Sequence, residues 1–167
     1  MIKILGISLG DYFLDRGILH NHFIELLNTS SEGLTIQTLI SHPKSPQLRE
    51  RARWEAGQEF YDGDAYYDST TFIETDGAAR IASRLCMKYS NTLKVQLYSQ
   101  APLCFLLITG NSCYYESYNF TTRGSKVPLI KIKSGNDLYN LYESHFDNLW
   151  KLSDSIEKYN PFNDKKQ

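Results

Sequence analysis

Leu93-Lys94-Val95-Gln96-Leu97-Tyr98, followed after a short break by Leu103-Cys104-Phe105-Leu106-Leu107-Ile108 and the turn Gly110-Asn111, decides what kind of fold this chain can adopt. The first run alternates apolar and polar residues, as in a half-covered strand. The second is continuously apolar, as in a strand at the centre of a sheet that is covered on both faces. Working outward toward the C-terminus, Cys113 to Tyr115 and Val127 to Ile132 read as further strands. The lysines of the latter suit a position near an edge, where charge discourages pairing with another chain. Leu138, Leu141, Tyr142, Phe146, Leu149, Trp150 and Leu152 then mark a long amphipathic helix. Toward the N-terminus, Lys3 to Leu9 reads as a first strand and Leu34 to Ile40 as a second, stopped at Ser41-His42-Pro43. Between them Leu14, Leu19, Phe23, Leu26 and Leu27 fall at helical spacing. Ser45-Pro46 is a cap followed by proline at the first helical position, with Leu48, Ala52, Ala56 and Phe60 behind it. Asp76 can cap a third helix through Ala78, Ile81, Ala82, Leu85 and Tyr89, which leaves residues 61–75 as an acidic, tyrosine-rich connecting loop. The resulting order predicts an α/β fold: a mixed β-sheet with helices packed on both faces, formed by residues 1–153, with 154–167 a polar C-terminal tail.

The bulk counts narrow the class of function. The chain has 167 residues, 41% apolar and 22% charged, with a net charge of −1. One domain of this size buries enough surface to need no disulfide or metal. Near-neutral charge removes the footprint of extensive nucleic-acid binding. No apolar run approaches the roughly 20 residues of a membrane span, and Met1-Ile2-Lys3-Ile4-Leu5-Gly6 lacks the pattern of a signal peptide, so the expected setting is cytoplasmic. Three cysteines, Cys86, Cys104 and Cys113, without C-x-x-C spacing point to buried thiols. An apolar strand raises the pKa of a thiol such as Cys104, which argues against a cysteine nucleophile. His20 and His22 are two apart and cannot form an i, i+4 metal pair, and the acidic run from Asp62 fails the calcium-loop pattern at Tyr67 and Ile73. No metal or cofactor is expected.

The segment Ser41-His42-Pro43-Lys44-Ser45 lies at the carboxyl end of a predicted strand with a helix start behind it, the usual ligand position in an α/β sheet. Backbone N–H groups, Lys44 and Arg49 could face an anion there, with His42 as donor or base. Ser45 as a simple cap and His42 as a turn residue is the plainer alternative. Arg49, Arg51 and Arg53 on the other face of this helix suit phosphate binding, ion pairs with Glu50 and Glu55, or a solvated surface.

The stretch Ala101 to Asn111, continuing through Tyr115-Glu116-Ser117-Tyr118-Asn119-Phe120-Thr121, resembles the catalytic-motif region of the phospholipase D superfamily. In that family a strand carries H-x-K-x-x-x-x-D and the next leads into G-S-x-N, whose serine and asparagine hold phosphate. Ser117 and Asn119 match the second motif, with Glu116 in place of its glycine. Pro102, Cys104 and Thr109 stand where the histidine, lysine and aspartate would be. The opening Ile4 to Leu9, the segment with Pro43, Ser45 and Arg51, and the helix bearing His145-Phe146 and Leu149-Trp150 are similar to degenerate domains of this kind attached to bacterial helix-turn-helix regulators. The resemblance implies a single phospholipase D-like half. Its nucleophile is missing, because proline can neither attack phosphorus nor stabilise charge.

The expectation that follows is a non-catalytic domain holding a phosphate-bearing small molecule, a nucleotide by preference, as a sensor or sequestering module. Ser8, Ser41, His42, Lys44, Ser45, Arg51, Ser117 and Asn119 are its candidate ligand-binding residues. One alternative is a phosphodiesterase or nuclease rebuilt around His42 and Lys44, completed in a homodimer as single-motif members of the family are. Another is a protein-interaction module using the tyrosines of the 61–75 loop.

Overall fold

In the computed structural model of this protein, residues 1–30, 33–57, 63–118 and 127–159 are described. The elements run β1 (Ile2–Gly6), α1 (Gly10–Phe13), α2 (His20–Thr29), β2 (Ile36–Ser41), α3 (Pro46–Glu55), α4 (Gly63–Tyr67), α5 (Thr70–Lys88), β3 (Leu93–Tyr98), β4 (Cys104–Ile108), β5 (Ser112–Ser117), β6 (Ile130–Lys133), α6 (Asp137–Leu152) and β7 (Asp154–Ser155), with a 3-10 turn at Ile156–Lys158. The strands form one mixed seven-stranded sheet in the order β6-β5-β4-β1-β2-β3-β7. The strands β1, β2 and β3 are parallel, and every other pairing is antiparallel.

Alternation along the strands sends neighbouring residues to two different cores, which is why the sheet needs helices on both faces. Ile4, Ile36, Ile40, Val95 and Leu97 pack with Phe13, Phe23, Leu27, Ala78, Ala79 and Ala82, from α1, α2 and α5. Leu5, Leu39, Tyr98, Leu106, Ile108 and Ile132 pack with Tyr139, Phe146 and Leu149 of α6. The α/β class and mixed sheet expected from the periodicities are therefore present. Among the described residues no helix is long and apolar enough to cross a membrane.

Four local expectations are corrected. β1 stops at Gly6, because Leu9 adopts a left-handed backbone (φ 50°) and folds its side chain back over the strand end. A Cβ at Gly6 would lie 2.3 Å from Leu9 Cδ2, so glycine makes the fold-back possible. The single helix expected from Leu14 to Leu27 is replaced by α1 and α2, separated where Gly17 presses against α1; a Cβ there would sit 2.5 Å from the carbonyl oxygens of Gly10 and Asp11. Of the stretch 61–75, residues 61 and 62 lie outside the described residues and the rest is not one loop: Gly63–Tyr67 is helical and α5 starts at Thr70, where the Ser69 hydroxyl accepts from the Phe72 N–H at 3.1 Å. Asp76, expected as the cap, lies inside α5 and accepts from Arg80 Nε at 2.6 Å. The segment from Asp154, assigned by its polarity to the tail, enters the fold. β7 pairs with Gln96 and Leu97, and Ile156 is buried at 1% exposure.

Candidate functional site

The parallel strands end on the edge of the sheet where β4 begins and β5 finishes, since Cys104 is paired with Ser117 and Leu5 with Leu106. A cavity of about 780 Å³ opens there between the end of β1, α1, α3, the first turns of α5 and the β4–β5 ribbon. Strand ends of this kind are the usual ligand position in an open α/β sheet.

The wall on the β1 side is built by the turn that Leu9 imposes. Ile7 donates its N–H to the Tyr118 hydroxyl at 3.3 Å, and the Gly10 N–H reaches Ser8 Oγ at 3.3 Å. Ser8 therefore lines the cavity with its hydroxyl already oriented by backbone. The left-handed conformation of a non-glycine residue costs about 1–3 kcal/mol and is held by Leu9 burial.

The opposite wall carries Arg51, the sole Lys, Arg or His side chain among the described cavity-lining residues. It is 5% exposed, because positions 48, 51, 52 and 55 of α3 share the face that turns inward. Arg51 Nε donates to Glu55 Oε1 at 2.8 Å, and Glu55 Oε2 accepts from Thr71 Oγ1 at 2.9 Å. The guanidinium lies 4.9 Å from the Tyr118 ring centroid. Burial, with the neighbouring Tyr98 adding to it, pushes the Tyr118 hydroxyl well above its ordinary range, so Tyr118 stays neutral. The arginine is thus a fixed cation stacked on an uncharged ring.

Ser117 closes β5 next to Tyr118 and also lines the cavity. Of the residues singled out in the sequence, the structure brings together Ser8, Arg51 and Ser117. It places the β2 exit elsewhere. Ser41 is buried beside Tyr98, and its N–H donates to Ile7 O at 3.0 Å. The His42 ring packs edge-to-face on Tyr159 at 5.6 Å, and its Nδ1 accepts the Lys44 N–H at 3.1 Å. Ser45 is buried and caps α3 through the Leu48 N–H at 3.1 Å. Neither His42 nor Lys44 lines the cavity. Asn119 lies outside the described residues.

Pro102, Cys104 and Thr109, which the resemblance sets against the family's catalytic residues, make structural contacts. Pro102 is buried, and Cys104 faces the α6 core with its thiol pushed up to about 12 by burial and then by Cys113. Thr109 lies past the other end of β4, where its hydroxyl accepts the Ser112 N–H at 3.2 Å. Tyr66, one of the tyrosines offered as a partner surface, is 1% exposed and donates its hydroxyl to the Pro43 carbonyl.

Sequence reasoning did not assign Glu55, Thr71 or Tyr118 to the site. Glu55 was legible as the fourth member of the 48-51-52-55 helical face. Thr71 and Tyr118 gave no signal, since each is brought in from a distant part of the chain. Comparison with protein-family models, curated proteins and solved structures finds no match to this chain.

Proposed function

We propose that this protein is a non-catalytic binding module that holds a small phosphate-bearing molecule, a nucleotide by preference, in the cavity at the end of β1. The observation that carries the reading is Arg51: a buried guanidinium, held by Glu55 and Tyr118, on the wall of a cavity that Ser8 and the strand-end residue Ser117 also line. Guanidinium and hydroxyl groups together suit phosphate oxygens, and rings such as Tyr12, Phe105 and Tyr114 along the same cavity suit a nucleobase. No histidine, cysteine or lysine is among the described lining residues, which favours holding the ligand over cleaving it. Kinship with the phospholipase D superfamily is part of the proposal. It is supported by the mixed sheet and by the place of Ser117 at a strand end beside the cavity.

Thermal unfolding with nucleoside monophosphates, cyclic nucleotides and orthophosphate tests this. A ligand at 100 times its Kd adds about 2.7 kcal/mol, which raises the midpoint of a chain this size by about 5 to 10 °C. The ligand is expected back intact. Ser8→Ala combined with Ser117→Ala should reduce the shift, while His42→Ala and Lys44→Ala should leave it. Recovery of cleaved ligand, with turnover lost in His42→Ala, would establish the hydrolase instead. Absence of any shift across the panel would end the ligand-binding reading.

A further inference from the structure

We infer that the cavity selects a guanine base, with the Glu116 carboxylate receiving the two adjacent N–H donors of the base edge. This rests on the ligand-binding reading above and names the class of ligand. In the β4–β5 register Phe105 is directly opposite Glu116, and Leu107 is opposite Tyr114. Residues two apart on a strand share a face, so Tyr114 and Glu116 stand side by side with Phe105 across from them, and all three line the cavity. The carboxylate is thus set in a wall of aromatic and aliphatic side chains. Of the cavity's other acids, Glu55 is engaged by Arg51 and Thr71, Glu74 by Arg16, and Asp11 is exposed at the rim. Glu116 is half-buried and makes no hydrogen bond or ion pair among the described residues. Burial alone raises its pKa.

A carboxylate taken partly out of water without a partner is unfavourable unless a ligand supplies donors. The flanking rings select a flat ligand, and the two oxygens select two donors side by side. Guanine offers that pair in its ring N1–H and exocyclic N2 amine. Adenine and cytosine each set their amine next to a ring nitrogen whose lone pair would face the carboxylate. Uracil sets its single N–H between two carbonyl oxygens. Arg51, on the α3 wall of the same cavity, is left to the phosphate.

The test is calorimetric titration of the full chain with GMP, IMP, AMP and CMP, and with orthophosphate. GMP should bind about tenfold or more tighter than AMP, the discrimination expected of one bidentate pair, and IMP, which keeps the N1–H but lacks the N2 amine, should fall between them. In Glu116→Gln, whose amide presents a donor beside an acceptor, the preference for GMP should disappear and AMP should bind at least as well. Equal affinity of the unaltered chain for GMP and AMP would overturn the inference and leave phosphate binding standing. So would a preference for GMP that survives in Glu116→Gln. Failure of every nucleotide and of orthophosphate to bind would overturn both readings.

Discussion

Arg49, Arg51 and Arg53 are each two residues apart, so on a helix successive members point about 200° away from one another and cannot share a face. Arg51 shares its face with Leu48 and Ala52 and is buried, while Arg49 is exposed beside Tyr66 and Tyr67. The ion pairs expected with Glu55 and Glu50 are made, by Arg51 and Arg53, while that geometry excludes one solvated face for all three. Removing Arg51 leaves the Glu55 carboxylate, whose side chain is 17% exposed, without its cationic partner. Arg51→Ala should therefore lower stability by about 3 kcal/mol in urea unfolding, with part recovered when Glu55→Gln is added. A loss no larger than that of an exposed arginine would show that the pair contributes little. Gly17 supplies a second prediction at this scale. A Cβ there would meet two backbone oxygens that cannot rotate away, so Gly17→Ala should destabilise by more than about 1 kcal/mol and disturb the α1 wall of the cavity. An unchanged urea midpoint would show that the segment after α1 can shift at little cost.

At the scale of elements, the start of α5 is set by the serine that can reach a free N–H. Ser69 Oγ receives the Phe72 N–H, which starts the helix at Thr70, well before Asp76, and brings Thr71 to Glu55. Ser69→Ala should cost about 1 kcal/mol, a fall of about 2–4 °C in the midpoint of thermal unfolding. No change would return the helix start to a later residue. The end of the chain after α6 follows the same logic. Its composition is polar, yet Ile156 is buried, and Tyr159 donates its hydroxyl to Asp76 on α5. Ile156→Ala should cost about 2–4 kcal/mol, as for a core isoleucine. A cost near zero would show that the segment is only laid against the sheet. Composition could not reveal this, because one isoleucine among polar residues is below any threshold that defines an apolar run.

For the molecule as a whole, the buried thiols and phenols set the upper pH limit of the fold. Burial, chiefly, raises Cys86 and Cys113 to about 11 and Cys104 to about 12, and Tyr66, Tyr98 and Tyr118 are raised in the same direction. An unfolded thiol ionises near 9, so between pH 9 and about 11 the unfolded chain releases protons that the folded chain keeps. The stability these groups contribute is complete below pH 9 and is lost as pH rises toward their folded values. Urea midpoints measured from pH 7 to pH 11 should be steady to about pH 9 and then fall. Cys104→Ser and Cys113→Ser, which remove two of the groups, should flatten the alkaline fall at the cost of a lower plateau. A midpoint unchanged to pH 11 would show that the thiols titrate as if exposed.

The amino-acid sequence by itself determined the class of fold, because period-2 and period-3.6 patterns are local and are legible wherever an apolar face must be buried. The run Leu93 to Tyr98 is a strand with the bounds that alternation predicts, and α3 begins where Ser45 and Pro46 place it. Ser8 was also legible, as a polar residue at a strand end, and Ser117 through the resemblance of its segment to G-S-x-N. What only the tertiary structure decided is which of those ends face one another. Ser8 and Ser117 line one cavity because β4 enters the sheet antiparallel, next to β1, and sequence does not encode strand order locally. The turn at Leu9 and the inward face of α3 then bring Arg51 to that edge, while packing of Tyr159 and capping by Ser45 draw the β2 exit into structural contacts. The cavity is the product of long-range pairing, in which each wall is contributed by a segment whose own pattern reports only its burial.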